Sequence, residues 1–106
     1  VFQPHQHSRT RFLLEQFAEA FSAADEVLVP AIYFVRDSDA ERKRITASDL
    51  VDRLTERGIS ARHIADFDDI LGELRHQLRP DDLLIVMGAG PVWTIGRDLM
   101  ADVLAS

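Results

Sequence analysis

The chain contains no cysteine, and this absence removes a whole group of chemistries. Disulfide frameworks, cysteine-ligated zinc sites and thiolate nucleophiles all require the thiol. No binding or catalytic site of this chain can therefore depend on a thiol. The redox compartment stays open, and a cytoplasmic location is the default expectation.

Positive charge and long apolar runs are also scarce. Lys and Arg number 12 against 18 Asp and Glu, which gives a net charge of -6. Non-specific nucleic-acid binding needs a surplus of cations that displaces counterions from phosphates. No apolar run is long enough to cross a bilayer, and the first residues lack the features of a secretory signal. We therefore expect a soluble protein with no nucleic-acid partner and no membrane partner.

The length and composition predict one domain over residues 1–106. An apolar content of 46% is sufficient for a single core without metal or disulfides. Val1 and Phe2 resemble the tail of a buried strand whose beginning is absent, and no Met precedes them. We expect an N-terminally truncated fragment of a longer protein.

Four stretches show the spacing of amphipathic helices. The first predicted helix runs from about Thr10 to Ala23, with Glu and Gln between its apolar positions. Thr46 or Ser48 is suited to cap the second helix, and Gly58 takes the place of a left-handed residue at its end. Asp66 is suited to cap the third helix, whose predicted buried face consists of Ile70, Leu71, Leu74 and Leu78.

Short apolar runs between these helices predict strands. "EVLVPAIYF" is rich in β-branched and aromatic residues, and Pro30 is expected to end its pairing. "SARHIA" is a shorter strand, and "LLIVMGAG" is the clearest buried strand. The polar segment "VRDSDAERKR" lacks an apolar period, which predicts a surface loop. Pro91 suits a first helical turn, and the closing helix has the predicted apolar face Val92, Ile95, Leu99, Met100 and Val103.

The alternation of strands and helices predicts an α/β fold. We expect a three-layer α/β/α, Rossmann-like domain with a mostly parallel sheet. Right-handed crossovers then place the carboxyl ends of all parallel strands at one edge, where ligands bind in such sheets. Two segments of unusual composition reach that edge, "PHQHSRT" and "GAGP".

The first of these segments has the composition of an anion site. If Ser8 or Thr10 caps the following helix, its free N–H groups lie near Arg9 and Arg11. A carboxylate bound by arginine gains roughly 1.5 to 3 kcal/mol per hydrogen bond. The alternative is an ordinary cap with solvated charges around it. A further alternative is a zinc site, in which His5 and His7 would need a third ligand from elsewhere.

The second segment resembles a dinucleotide-binding loop only superficially. In "GAGPVWTIG", Trp93 occupies the place of the third glycine, and only one helix remains after it. Gly88 and Gly90 would allow a ligand to approach the backbone closely, although a sharp turn also explains them. The chain has no G-x-x-x-x-G-K-[ST] phosphate loop and no G-x-S-x-G elbow, so it shows no catalytic residues of its own.

The segment "VFQPHQHSRTRF" resembles the "FQPH..SRT" signature of the C-terminal domain of Mur ligases. The resemblance continues in order through "ADEVLVPAIYFVRD" and "LRPDDLLIVMGAG", and it covers nearly all of the chain. It favours the branch that adds L-alanine to UDP-N-acetylmuramate in peptidoglycan synthesis. His7 departs from the aromatic residue of the family's signature, and "GAGP" departs from its usual "GAGD".

The resemblance implies an ATP-dependent ligase that works through an acyl phosphate. By the family's pattern, His5 and Arg9 face L-alanine or the acyl phosphate when this domain closes as a lid. ATP and Mg²⁺ would be bound mainly by a central domain that this chain lacks, and the N-terminal and central domains would be its partners. The chain alone should be inactive. The rival interpretation is a non-catalytic α/β module that binds a small anion or a protein at the same edge.

Overall fold

The computed structural model describes residues 1–34 and 38–105. Its regular sheet contains two parallel strands, β1 (Glu26–Val29) and β2 (Ser60–His63). Glu26 pairs with Ser60 at one end of this ladder, and Val29 pairs with His63 at the other. Pro30 follows directly after β1, as predicted, because it has no N–H to donate to the ladder.

Two short extended segments widen the sheet in the parallel sense. The Phe2 N–H donates to the Leu28 carbonyl at 3.0 Å, and the Gln3 N–H donates to the Met87 carbonyl at 3.0 Å. Phe2 and Met87 form a parallel bridge. The order across the sheet is therefore β2, β1, residues 1–3 and residues 85–87.

Six helices surround this sheet within the described residues. They are α1 (His7–Phe12), α2 (Leu14–Ala20), α3 (Asp39–Arg44), α4 (Ala47–Glu56), α5 (Phe67–Gln77) and α6 (Trp93–Ala105). None of these helices combines the length and apolar character that a bilayer crossing requires.

The core has two parts, one on each face of the sheet. Val27 and Val29 of β1 pack with residues of α2 and α4, whereas Leu28 packs with residues of α5 and α6. Successive side chains of a strand point to opposite faces, so β1 separates the two clusters. This arrangement confirms the predicted three-layer α/β/α, Rossmann-like class.

The predicted helix from Thr10 to Ala23 is wrong in its extent, because the chain forms two helices with a break at Leu13. Leu13 has φ -106° and ψ 13°, and its N–H donates to the Arg9 carbonyl at 3.0 Å. α1 packs against α3, whereas α2 packs against α4. The two helices thus pack against different helices. The local spacing of apolar residues does not indicate this division.

The prediction of a loop over "VRDSDAERKR" is also wrong in its second half. Residues 35–37 lie outside the described residues, but α3 occupies 39–44. The Ser38 hydroxyl accepts from the Glu41 N–H at 3.2 Å, and Asp39 and Glu41 lie in the first turn. Three basic residues fill the last turn, so the charges complement the helix dipole at both ends.

The signals at the ends of α4 and α5 are largely confirmed. Thr46 is the N-cap of α4, and its N–H donates to the Asp49 carboxylate at 2.7 Å. Gly58 has φ 81°, the left-handed value expected after a helix. Asp66 is the N-cap of α5 but forms no side-chain capping bond. Ile70, Leu71 and Leu74 are buried as predicted, whereas Leu78 is only partly buried.

The expected buried strand "LLIVM" is exposed on one face. Leu83, Ile85 and Met87 are 85%, 56% and 42% exposed, whereas Leu84 and Val86 pack against the α5–α6 cluster. The segment lies at the outer side of the sheet, and no described residue covers its second face enough to bury it.

The closing helix begins slightly later than predicted. Pro91 and Val92 form a turn, and α6 starts at Trp93. Val92 and Ile95 are buried, but Met100 and Val103 are 55% and 59% exposed. The predicted apolar face is therefore wrong for its last turns.

Candidate functional site

Three loops meet at the carboxyl edge of the sheet, and backbone hydrogen bonds join the first two. The Tyr33 N–H donates to the Pro4 carbonyl at 2.9 Å, and the Gln6 N–H donates to the Tyr33 carbonyl at 3.0 Å. The two bonds form the parallel bridge between His5 and Tyr33. The loop after residues 1–3 and the loop after β1 are therefore fixed to each other.

His5 lies inside this junction and is partly buried. Its ring centroid is 5.7 Å from that of Tyr33, with 32° between the planes. Its Nδ1 is buried and finds no hydrogen-bond partner in the described part of the chain. The ring is thus held by packing and by its backbone, with no hydrogen bond at Nδ1.

Gln3 is a second buried polar residue of this edge, and it lies two positions before His5 on an extended segment. Its side chain is 6% exposed, and its Nε2 donates to the Ala31 carbonyl at 3.1 Å. Its Oε1 has no partner among the described residues. Residues two apart on a strand share a face, and this spacing is the sequence signal that would have pointed to Gln3.

The two arginines of α1 have different environments. Arg11 forms two hydrogen bonds of 2.9 Å with the Glu41 carboxylate of α3, and this bonding raises the pKa of the Arg11 guanidinium. Arg9 is exposed and has no ion pair or side-chain hydrogen bond to a described residue. The two predicted arginines therefore differ: Arg11 joins α1 to α3, whereas Arg9 is available to bind an anion.

The prediction that Ser8 or Thr10 caps this helix is wrong. The N-cap is Gln6, with φ 64°, and it makes no side-chain capping bond. Ser8 lies inside α1, and Thr10 is fully buried with its hydroxyl donating to the Gln6 carbonyl at 2.7 Å. Thr10 satisfies its hydroxyl against the backbone of the preceding turn. Contact of Ser8 or Thr10 with an anion remains a prediction.

The third loop follows residues 85–87, and its glycines, Gly88 and Gly90, pack against other residues of the chain. Gly88 has φ 154°, and a Cβ there would lie 2.7 Å from Val92 Cγ1 and 3.0 Å from the Gln3 carbonyl oxygen. A Cβ on Gly90 would lie 2.7 Å from Tyr33 Cδ1. Close packing thus requires glycine at both positions, and the positive φ adds a conformational reason at Gly88. Approach of a ligand to this loop stays a prediction.

His7 does not pair with His5 as a metal site within the described residues. His7 is 7% exposed, and its ring stands edge-on to Phe34 at 5.6 Å. No group of three or more His, Asp or Glu side chains in residues 1–34 and 38–105 is arranged to hold a metal ion. These residues provide no third ligand for zinc and no carboxylate cluster for Mg²⁺.

Comparison with known proteins finds a matching family and several relatives. The family described as "Mur ligase, glutamate ligase domain" matches residues 1–90. A UDP-N-acetylmuramate–L-alanine ligase of Caldanaerobacter subterraneus subsp. tengcongensis is 37% identical over 102 residues, which is 96% of this chain and 22% of that protein. The protein of the same name from Desulfitobacterium hafniense is 39% identical over 100 residues, or 94% of this chain and 22% of that protein.

A relative from a third organism provides a similar match. The UDP-N-acetylmuramate–L-alanine ligase of Synechococcus sp. (strain RCC307) is 41% identical over 92 residues, which is 87% of this chain and 19% of that protein. The chain therefore spans about a fifth of the length of these relatives. The family match over residues 1–90 includes His5, Arg9 and Gly90. The chain belongs to the Mur ligase family and corresponds to its C-terminal domain.

Proposed function

We propose that this chain is the substrate-binding lid domain of an ATP-dependent ligase that joins L-alanine to UDP-N-acetylmuramate in peptidoglycan synthesis. The names of its relatives support the reaction class. One structural observation supports the role of this edge: Arg9 is an exposed cation without a partner among the described residues, and it follows shortly after His5. A guanidinium in that state is available for a carboxylate or phosphate.

The roles of this chain's residues follow from their chemistry. Arg9 would bind the carboxylate of L-alanine through a pair of charge-assisted hydrogen bonds, which fixes the amino acid in one orientation. His5 would lie beside the same substrate or the acyl phosphate. The amine of L-alanine attacks the acyl carbon, the new C–N bond replaces the C–O bond to phosphate, and the amine loses a proton. A closed lid would exclude the water that hydrolyses an acyl phosphate.

ATP supplies the phosphoryl group that activates the muramate carboxylate, and Mg²⁺ accompanies it. The residues of this chain do not suit that nucleotide, because its sequence contains no phosphate loop and its described residues contain no cluster for a metal ion. We therefore assign the binding of ATP and Mg²⁺ mainly to other domains of the parent enzyme, which we place in the cytoplasm. The isolated chain should be inactive.

The first test is phosphate release by the full-length protein with ATP, Mg²⁺ and UDP-N-acetylmuramate. We expect release that depends on the muramate and is fastest with L-alanine, compared with glycine, L-serine and D-glutamate. Release with none of these amino acids would contradict the proposed ligase. The non-catalytic module that binds a small anion would then explain Arg9 better.

The role of Arg9 is tested by Arg9→Ala in the full-length protein, with Arg11→Ala as the matched control on the same helix. Arg9→Ala should raise KM for L-alanine about 10-fold or more and change KM for ATP much less, because one carboxylate contact is lost. Arg11→Ala removes the pair with Glu41 and should leave KM for L-alanine nearly unchanged. Equal increases for every substrate in Arg9→Ala would indicate a defect of folding or closure instead.

A further inference from the structure

We propose that Tyr33 is a positioning residue that orients the His5 imidazole toward the substrate, and that Gly90 is glycine because the Tyr33 ring lies against its backbone. This inference rests on the proposed function, since it assumes that His5 faces the amino acid or the acyl phosphate. Tyr33 acts through His5 and need not touch substrate itself.

The backbone of Tyr33 forms hydrogen bonds with the two residues that flank His5 in the sequence. The residue before His5 accepts a hydrogen bond from the Tyr33 N–H at 2.9 Å, and the residue after it donates to the Tyr33 carbonyl at 3.0 Å. This pattern fixes the Cα of His5 relative to that of Tyr33, although the two residues are far apart in sequence. Only the side-chain angles of His5 then remain free.

The side chain of Tyr33 limits those angles. Its ring centroid lies 5.7 Å from the imidazole centroid, within the range in which aromatic rings attract each other. The imidazole has no hydrogen bond at its buried Nδ1 within the described residues. Aromatic packing is therefore the main restraint on the orientation of His5 that these residues provide.

Gly90 restrains Tyr33 in turn. A Cβ on residue 90 would lie 2.7 Å from Cδ1, 2.8 Å from Cγ and 3.1 Å from Cε1 of the Tyr33 ring. These ring atoms are rigid and adjacent to the Tyr33 backbone, so the ring would have to rotate to accept a methyl group. The three loops thus form a chain of contacts from Gly90 through Tyr33 to His5.

The contact with Tyr33 explains why residue 90 is glycine, which the turn alone does not explain. Gly90 has no positive φ, so backbone conformation does not demand glycine there. The contact with Tyr33 does demand it. A misplacement of about 1 Å at a reacting group is enough to cost about 100-fold in rate, so a loss of His5 orientation should be measurable.

The experiment uses the full-length protein with Tyr33→Phe, Tyr33→Leu and Gly90→Ala. Tyr33→Leu and Gly90→Ala should each lower kcat/KM for L-alanine by about 10-fold with KM for ATP little changed. Tyr33→Phe keeps the ring and should keep activity within about 2-fold. Gly96→Ala is the matched control, because a Cβ there meets only Val86 Cγ2 at 3.9 Å, and it should leave kcat/KM unchanged.

The double variant Tyr33→Leu with Gly90→Ala tests the contact chain directly. If Gly90 acts only through the Tyr33 ring, the double variant should lose no more activity than Tyr33→Leu alone. Multiplied losses would overturn that part of the inference. Thermal unfolding of each variant separates a positioning defect from a folding defect, and Gly90→Ala keeps the test valid if Tyr33→Leu does not fold.

A spectroscopic reading separates this inference from the proposed function. In protein labelled with ¹³C-histidine, the His5 resonance, assigned by its loss in His5→Gln, should move in Tyr33→Leu and Gly90→Ala and stay in place in Gly96→Ala. An unmoved resonance would overturn the inference. The inference would also be overturned if Tyr33→Leu kept full activity while His5→Ala lost activity. That result would leave the proposed ligase function standing. If His5→Ala retains full kcat/KM for L-alanine, the role of His5 in the proposed function fails instead.

Discussion

Strand β1 and the segment 83–87 have similar apolar composition but opposite degrees of burial. Val27, Leu28 and Val29 are at most 2% exposed, whereas Leu83 and Ile85 are 85% and 56% exposed. β1 has hydrogen-bonded neighbours on both sides, β2 and residues 1–3. Segment 83–87 bonds through Ile85 and Met87 to residues 1–3, on one side only among the described residues. Position in the sheet, more than composition, therefore decides how deeply an apolar run is buried.

The largest effect should come from Leu28→Ala in β1. Leu28 is 2% exposed and belongs to the apolar cluster that also contains Ile70 of α5 and Ile95 of α6. Its truncation should lower the free energy of unfolding by about 2 to 5 kcal/mol, because the lost apolar contact leaves a cavity. Urea unfolding followed by circular dichroism measures this change. A loss below about 1 kcal/mol would mean that the site collapses and that β1 is less tightly packed than the structure indicates.

An intermediate effect is expected from Gly88→Ala, at the end of the exposed segment. Gly88 combines a φ of 154° with a Cβ position 2.7 Å from Val92 Cγ1. The substitution should lower the free energy of unfolding by about 1 to 3 kcal/mol through backbone strain and overpacking. This result would show that the segment is tightly packed at its end although its middle is exposed. Gly96→Ala in α6 is the control and should raise stability by up to about 1 kcal/mol.

The smallest effect is expected from Leu83→Ala, which repeats the Leu28 substitution on the exposed segment. With Leu83 85% exposed, the free energy of unfolding should change by less than about 0.5 kcal/mol. The same urea experiment provides the comparison. A loss as large as that of Leu28→Ala would show that Leu83 is buried in solution and would remove the contrast between the two segments.

Local signals explain why some elements of the fold were predictable. The start of α4 depends on Thr46 and Asp49, which lie three residues apart, and its end depends on Gly58. These signals act within a single turn of the chain, so the sequence pattern contains them. β1 was similarly clear because its residues are apolar on both faces and Pro30 follows directly.

Long-range contacts explain the elements that sequence reasoning missed. The break at Leu13 accompanies the packing of α1 on α3 through Arg11 and Glu41, which are 30 positions apart. α3 itself has no apolar period, so its Ser38 cap and charged ends were not enough to predict it. The exposure of Leu83 depends on which segments neighbour it in the sheet, and that order is not a local property.

The candidate site shows the same division. His5 and Arg9 were predicted as site residues from a compact motif, but the difference between Arg9 and Arg11 appears only when Glu41 is placed beside α1. Tyr33 gave no signal, since its role depends on contacts with residues 5 and 90. Residue types indicated the chemistry of the edge, and tertiary structure decided which groups are available for it.

The pairing of Arg11 with Glu41 has a consequence for which residues of α1 can be substituted without disturbing its packing. α1 has only six residues, too few to remain helical without support, and that support comes from the burial of His7 and Thr10 as well as from the bidentate contact between Arg11 and Glu41. Arg9 lies on the same helix, but its side chain forms no hydrogen bond or ion pair with a described residue of α3. A substitution at residue 9 should therefore change the proposed binding of a carboxylate or phosphate without breaking the contact between α1 and α3.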